Sequence, residues 1–230
     1  PSAAWGGLVP VSVPNANTQV EEMRNEPFAI HNWTLNSRMS LETSMVYEFS
    51  EIEQSGDFAN SRNFSSFKPK LDYRFDITQQ LQLRLLVEKV VRQISFTDFV
   101  AATDSEDNDS NTLAGNTALR PDYWWNYNLL AEYRLDNDAG VVSANLYHHR
   151  HKDFLQRIDV STDEGGLKSA AGNLGSADMV VFEVKGSLRL GMFNLPNVLV
   201  TTRASARDSW VADPFQHTVH RFNNYNRGEF

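Results

Sequence analysis

From Trp125 to Leu135 the chain alternates. Trp125, Tyr127, Leu129, Ala131, Tyr133 and Leu135 fall on one parity, and Asn126, Asn128, Leu130, Glu132 and Arg134 on the other. A period of two is the mark of a strand with one apolar and one polar face. After the polar stretch DNDAG, Val142, Ala144 and Leu146 oppose Ser143, Asn145 and Tyr147, so the two runs predict a hairpin. The same sidedness recurs. Met39, Leu41, Met45, Tyr47 and Phe49 oppose Ser40, Glu42, Ser44 and Glu48; Phe67, Leu71, Tyr73 and Phe75 oppose Lys68, Lys70, Asp72 and Arg74. Leu81, Leu83, Leu85 and Val87 oppose Gln82, Arg84 and Glu88, and Val180, Phe182, Val184 and Leu188 oppose Glu183, Lys185 and Arg189.

Extended along the chain, this pattern predicts an all-β fold of about eight strands, at 27–35, 39–52, 63–75, 80–97, 123–135, 140–160, 177–190 and 197–210. Residues 1–26, punctuated by Gly6, Gly7, Pro10 and Pro14, read as a loop or irregular lead-in, and 27–230 as one antiparallel up-and-down meander. Two runs of about 16 to 20 residues exceed the usual strand of about 5 or 6. Short connections near 36–38, 76–79, 136–139 and 191–196 alternate with long ones near 53–62, 98–122 and 161–176. Short turns at one end and long loops at the other are the arrangement of a bacterial outer-membrane barrel, in which the apolar face meets lipid and the charged face lines the lumen. Aromatic residues toward strand ends, such as Trp125, Tyr127, Tyr133 and Tyr73, agree with a girdle at the membrane boundary. A soluble β-barrel or sandwich that binds a carbohydrate or small ligand uses the same alternation with the faces reversed, so alternation leaves both open.

Composition narrows this only in places. The 230 residues contain no apolar run long enough for a spanning helix, with 41% hydrophobic residues and a mean hydropathy of -0.44. A net charge of -8 argues against nucleic acid as a partner. Cysteine is absent, which removes disulfides and thiolate metal sites. The start at Pro1 reads as a processed or excised chain, and RFNNYNRGEF before the aromatic Phe230 reads as the beginning of a strand rather than a closing one, which disfavours a self-contained eight-strand membrane barrel.

Local segments add a resemblance. GNTALRPDYWWNYNLLAEYRL (115–135) resembles the stretch of TonB-dependent outer-membrane receptors in which a Gly-Asn-Pro-x-Leu-x-Pro-Glu segment ends an extracellular loop and opens a strand; Thr117 and Asp122 replace the family's Pro and Glu. Upstream, Arg92, Ser95, Phe96 and Asp98 are similar to the end of the preceding rising strand; downstream, AAGNLGSADMVVFEVKGSLRL and RDSWVADPF are similar to later segments, in the family's order. The resemblance implies a plugged barrel of about 22 strands, of which this chain is a late part, with the N-terminal plug and TonB-contacting segment outside it. It also implies an outer-membrane location in a Gram-negative bacterium, uptake of a scarce nutrient such as an iron–siderophore complex driven by TonB, and transport without covalent chemistry.

The cluster HHRHKD (148–153) is the sequence's main candidate for ligand contact. Parity puts His149 and His151 on the lumen side, where imidazoles can ligate a metal, although hydrated rim histidines account for the same residues and no metal site is expected. Trp124 at the loop end of the lumen side, with Arg92 and Arg150 near it in the topology, can stack on or pair with an anionic ligand. These five residues, Arg92, Trp124, His149, Arg150 and His151, form the expected ligand-binding set. TDSEDNDSN (103–111) has acids but not the order of a calcium loop and reads as a solvated loop. No Gly-x-Ser-x-Gly, His-Glu-x-x-His, P-loop or dinucleotide motif is present, so neither enzyme activity nor a cofactor is expected.

Overall fold

The computed structural model describes residues 18–56, 59–94, 102–103, 112–113, 116, 119–159, 168–195, 197–213, 217–222 and 228–229. Its strands are β1 (Thr18–Asn25), β2 (Phe28–Asn36), β3 (Met39–Gly56), β4 (Asn60–Asp76), β5 (Leu81–Val91), β6 (Ala102–Thr103), β7 (Thr112–Leu113), β8 (Tyr123–Arg134), β9 (Gly140–Lys152), β10 (Leu155–Asp159), β11 (Lys168–Asn173), β12 (Ala177–Arg189), β13 (Leu199–Asp213), β14 (Thr218–His220) and β15 (Gly228–Glu229). Eleven of them form one antiparallel meander: β1 and β2 on β3, then β4, β5, β8, β9, β12 and β13, with β14 and β15 along the far edge of β13. Among the described residues no helix is long and apolar enough to cross a membrane.

Where the sequence predicts a lead-in, the structure has a strand. β1 pairs Thr18 with Gly56 through to Asn25 with Phe49, and β2 resumes in the same register at Phe28 opposite Val46. Pro27 sits between them, without an N–H to give, while its carbonyl still accepts from the Tyr47 amide at 3.0 Å. The two pieces are one long strand, its ladder interrupted at a proline. TQVEEMRN lacks an apolar face, and backbone pairing with β3 sets its conformation instead.

Two predicted strands also end early. The 140–160 run breaks after Lys152, where Asp153 takes a positive φ of 52° and β10 leaves for a second sheet. That sheet has the order β10-β11-β7-β6 and is built from the connections between β5 and β8 and between β9 and β12, with β11 running parallel to β7, while most of the long connection predicted at 53–62 is strand in β3 and β4. The 80–97 run stops at Val91, and Ile94 turns into an apolar cluster with Ile52, Leu119 and Leu155; 95–97 lie outside the described residues. At the opposite end the connections are tight. Asn137 and Asp138 adopt positive φ, and Gly140 follows at φ 151°, where a Cβ would stand 2.1 Å from the Ser187 carbonyl oxygen.

Burial separates the two faces of the main sheet and answers the question alternation leaves open. Apolar Phe67, Leu129, Leu146 and Phe182 stand 45 to 49% exposed, while Glu48, Asp72, Glu183 and Ser209 on the opposite face are buried. A soluble sheet would bury the first set and expose the second. An apolar exterior around a polar interior is the distribution of a membrane barrel wall, with lipid outside and a filled or hydrated lumen inside.

Candidate functional site

The cross-strand register sorts the five expected residues. Trp124 lies opposite His151, Asn126 opposite His149, and Val90 opposite Trp124, all on the lumen face at the loop end. Trp124 and His151 stack with ring centroids 5.1 Å apart at 28°, and His149 lies 6.1 Å from Trp124 and 6.2 Å from His151. Tyr147 extends the cluster at 5.3 Å from His149. Phe154 and Phe222, stacked on each other at 4.5 Å, close over His151 edge-on. The result is an aromatic and imidazole surface of the kind that grips flat, polarisable ligands.

Arg92 joins this group through a residue that the sequence reading left outside its set. Asp122 is fully buried; its carboxylate lies 3.4 Å from His151 Nδ1, 4.0 Å from the Arg92 guanidinium and 3.4 Å from the Leu155 amide that donates to it. Its backbone carbonyl accepts from the Arg92 amide at 2.8 Å. Parity carries the missed signal, since Asp122 precedes Trp124 by two and therefore shares its face with Arg92 and His151.

Arg150 goes elsewhere. It pairs in register with Trp125 and Asp178, on the outward face, and the structure does not bring it to the imidazoles. His148 is on that outward face too, bonded to Asp178 at 2.7 Å and stacked on Tyr127. Strand geometry is the reason, because successive side chains point to opposite faces. Among the described residues no group of three or more His, Asp or Glu converges as a metal site. Residues 104–111 of the acidic segment lie outside the described residues.

Loops hold the cluster in place from above. Asn173 Nδ2 donates to the Arg120 and Asp153 carbonyls at 2.9 and 2.7 Å, and its Oδ1 accepts from the Arg120 amide at 2.9 Å. Asn116 donates to the Ala171 carbonyl at 2.7 Å, and Arg120 pairs with Asp153 at 2.7 Å. The two Gly-Asn segments quoted from the sequence therefore dock onto each other. Gly172 lets β11 lie close on β10, since a Cβ there would stand 2.4 Å from Ile158 Cδ1.

Toward the turns the lumen face is ionic. Asp72 takes the Arg84 Nε–H at 2.7 Å, Lys70 donates to Glu42 at 2.9 Å and Lys68 to Glu48 at 2.7 Å.

Comparison with known proteins agrees with this architecture. Residues 1–222 match the family model described as TonB dependent receptor-like, beta-barrel. The chain is similar in fold to the alcaligin outer-membrane receptor FauA from Bordetella pertussis, with a TM-score of 0.61 at 15% identity over 92% of this chain and 33% of that one. It is similar also to the copper transporter OprC, with a TM-score of 0.64 at 13% identity over 87% and 32% of the two chains. For the ferric-catecholate import receptor Fiu from K12 E. coli the TM-score is 0.61 at 9% identity, over 85% and 29%. The chain spans about a third of the length of these structures, and no curated protein sequence matches it. The soluble binding module is thereby set aside: with its apolar face outward, its polar face inward and a family match over nearly its whole length, the chain belongs to the TonB-dependent receptor β-barrel family of the Gram-negative outer membrane.

Proposed function

We propose that this chain is barrel wall from a receptor that takes up a scarce nutrient, a metal chelate of the iron–siderophore kind, driven by TonB acting on a plug that lies outside this sequence. Transport of this kind makes and breaks no covalent bond in the ligand. The observation that carries the reading is the loop-end cluster of Trp124, His149, His151 and Tyr147 on the lumen face, beneath the paired long loops. A chelate that passes the loops meets that surface on the lumen wall. Trp124 offers a π face and His149 an imidazole, while His151, held by Asp122, braces Trp124 from behind. The name of one structural neighbour, a ferric-catecholate import receptor, favours an iron chelate as cargo.

The test is uptake of radiolabelled iron by cells carrying or lacking the protein, over a panel of chelates, with and without TonB. One chelate should be taken up only when both proteins are present. Trp124→Ala should weaken its binding about tenfold, the worth of one lost stacking contact of roughly 1.4 kcal/mol. Uptake that persists without TonB, or an absence of uptake for every chelate, overturns the proposal.

A further inference from the structure

Arg150, turned away from the lumen, has other cations beside it on the outward face. The ladder sets Lys89 opposite Trp125, Trp125 opposite Arg150, Arg150 opposite Asp178 and Asp178 opposite Trp210, one row across β5, β8, β9, β12 and β13. Tyr123 and Lys152, opposite each other, stand two residues nearer the loops on the same side. Lys89 Nζ lies 4.4 Å from the centre of the Tyr123 ring and reaches Ser66 Oγ at 3.5 Å, and Lys152 donates to Ser176 Oγ at 2.9 Å. Arg150 is exposed and makes no hydrogen bond or ion pair with any described residue. The carboxylate of Asp178 is bonded to His148. Three cations thus stand around Tyr123 and Trp125.

Below this row the face is apolar. Four residues along each strand toward the turns, Leu85, Leu129, Leu146 and Phe182 form a row 40 to 49% exposed. Tyr133 lies eight residues from Trp125 on the same face. At roughly 3.3 Å per residue and a strand tilt of about 40°, that is about 20 Å along the membrane normal, against an apolar band about 25 Å tall. The cations therefore stand where hydrocarbon gives way to headgroups. Lys89, Trp125 and Arg150 are on strands with a neighbour on each side, so the row is no sheet edge, and lipid is what lies against the outward face of a barrel. A single cation at such a boundary is accounted for by its long stem reaching water. Three of them within roughly 10 Å, two strand spacings, concentrate positive charge at the depth of anionic headgroups.

We propose that this outward row binds a phosphate-bearing lipid of the outer leaflet. A phosphate offers several oxygens at once, so that the planar fork of Arg150 and the ammonium groups of Lys89 and Lys152 share one anion through charge-assisted bonds. Acyl chains attached to it run down over Leu129, Leu146 and Phe182. Those apolar rows select a lipid over free phosphate. The inference rests on the membrane wall alone, since the row is on the opposite face from Trp124 and His149, and the chelate reading can fail without touching it.

The experiment is native mass spectrometry of the protein purified from outer membranes, washed free of bound lipid and held in dodecyl maltoside, with lipid A as the probe. Dephosphorylated lipid A and inorganic phosphate are separate arms, and each variant's folding is checked by its heat-sensitive migration on a gel. The expected result is a saturable one-to-one adduct with lipid A, at least tenfold weaker with the dephosphorylated lipid and absent with inorganic phosphate. Arg150→Gln should weaken it at least tenfold, Arg150→Lys should keep most of it, and Arg38→Gln at the turn end should leave it unchanged. Should Arg150→Gln fail to fold, Lys89→Gln should weaken binding severalfold. Equal binding of the dephosphorylated lipid would mean that the apolar rows act alone, and overturns the proposal. Inorganic phosphate binding as well as the lipid overturns it too, as does the absence of a saturable adduct or equal affinity in the Arg150→Gln and Lys89→Gln variants.

Discussion

Two halves of the same lumen face, on the same strands and of the same parity, have opposite chemistry. Toward the turns it is a lattice of ion pairs, Arg84 with Asp72 and Lys70 with Glu42. Toward the loops it turns apolar and aromatic: Ile52 on β3 and Phe64 on β4 pack with Ile94, Leu119 and Leu155, while Trp124 and His151 stack beside Phe154. What changes along the strand is the neighbour. Where the long loops fold inward and exclude water, apolar groups are stabilised and a polar group must be fully bonded. Where the wall faces an aqueous or polar filling, half-exposed charges such as Lys70 and Glu42 pair with little gain.

The sharpest break of that contrast is Asp122→Ala. It removes the carboxylate that faces the Leu155 amide, His151 and Arg92, all in the water-poor half. Breaking a buried charged network of this kind costs roughly 3–5 kcal/mol. Hydrogen exchange at the amides of β10 and β11 should accelerate by orders of magnitude, while those shared by β3 and β4 stay protected. Unchanged exchange in β10 would mean that the carboxylate is not what ties the loop sheet down. Next comes Leu119→Ala, at a side chain with no exposure at all, which should cost about 3 kcal/mol by leaving a cavity. The denaturant midpoint of loop opening, read by protease cleavage, is the measure.

Gly172→Ala follows, at roughly 1–3 kcal/mol, because its Cβ must push Ile158 aside. Ile158→Val should return part of that loss. A glycine variant as stable as the parent would show that the two strands of the loop sheet separate freely.

Much of this fold could be read from periodicity. The alternations at Trp125 to Leu135 and at Met39 to Phe49 placed the strands, and parity put Trp124, His149 and His151 on one face, where the register has them. Alternation says nothing about where a face stops meeting water, and so the sign of the pattern stayed open until burial fixed it. Arg150 was grouped with Trp124 for nearness in the topology, whereas its pairing with Trp125 turns it to the outward face. The positive φ at Asp153 leaves no hydrophobic trace, and the strand therefore ran on in the sequence reading to 160. Asp122 entered the sequence reading as a departure from a motif, and its parity with Trp124 went unused. Its value comes from three contacts, with Arg92, His151 and Leu155, none of them nearer than 29 residues in the chain.

The smallest effect is expected in the ionic half, and it is the one that decides whether the contrast is about water. Lys70 and Glu42 have side chains 32% and 39% exposed and bond at 2.9 Å. Lys70→Gln removes the charge while leaving a side chain that still donates to Glu42. Screening and the entropy of two long side chains hold the net loss below about 1 kcal/mol, and added salt should shrink it further as the Debye length falls from about 10 Å at 0.1 M to 3 Å at 1 M. A double-mutant cycle with Glu42→Gln on the detergent-folded protein measures the coupling. A value near that of the Asp122 network, insensitive to salt, would mean that this half of the lumen is as dry as the other. Loop coverage would then not be what separates them.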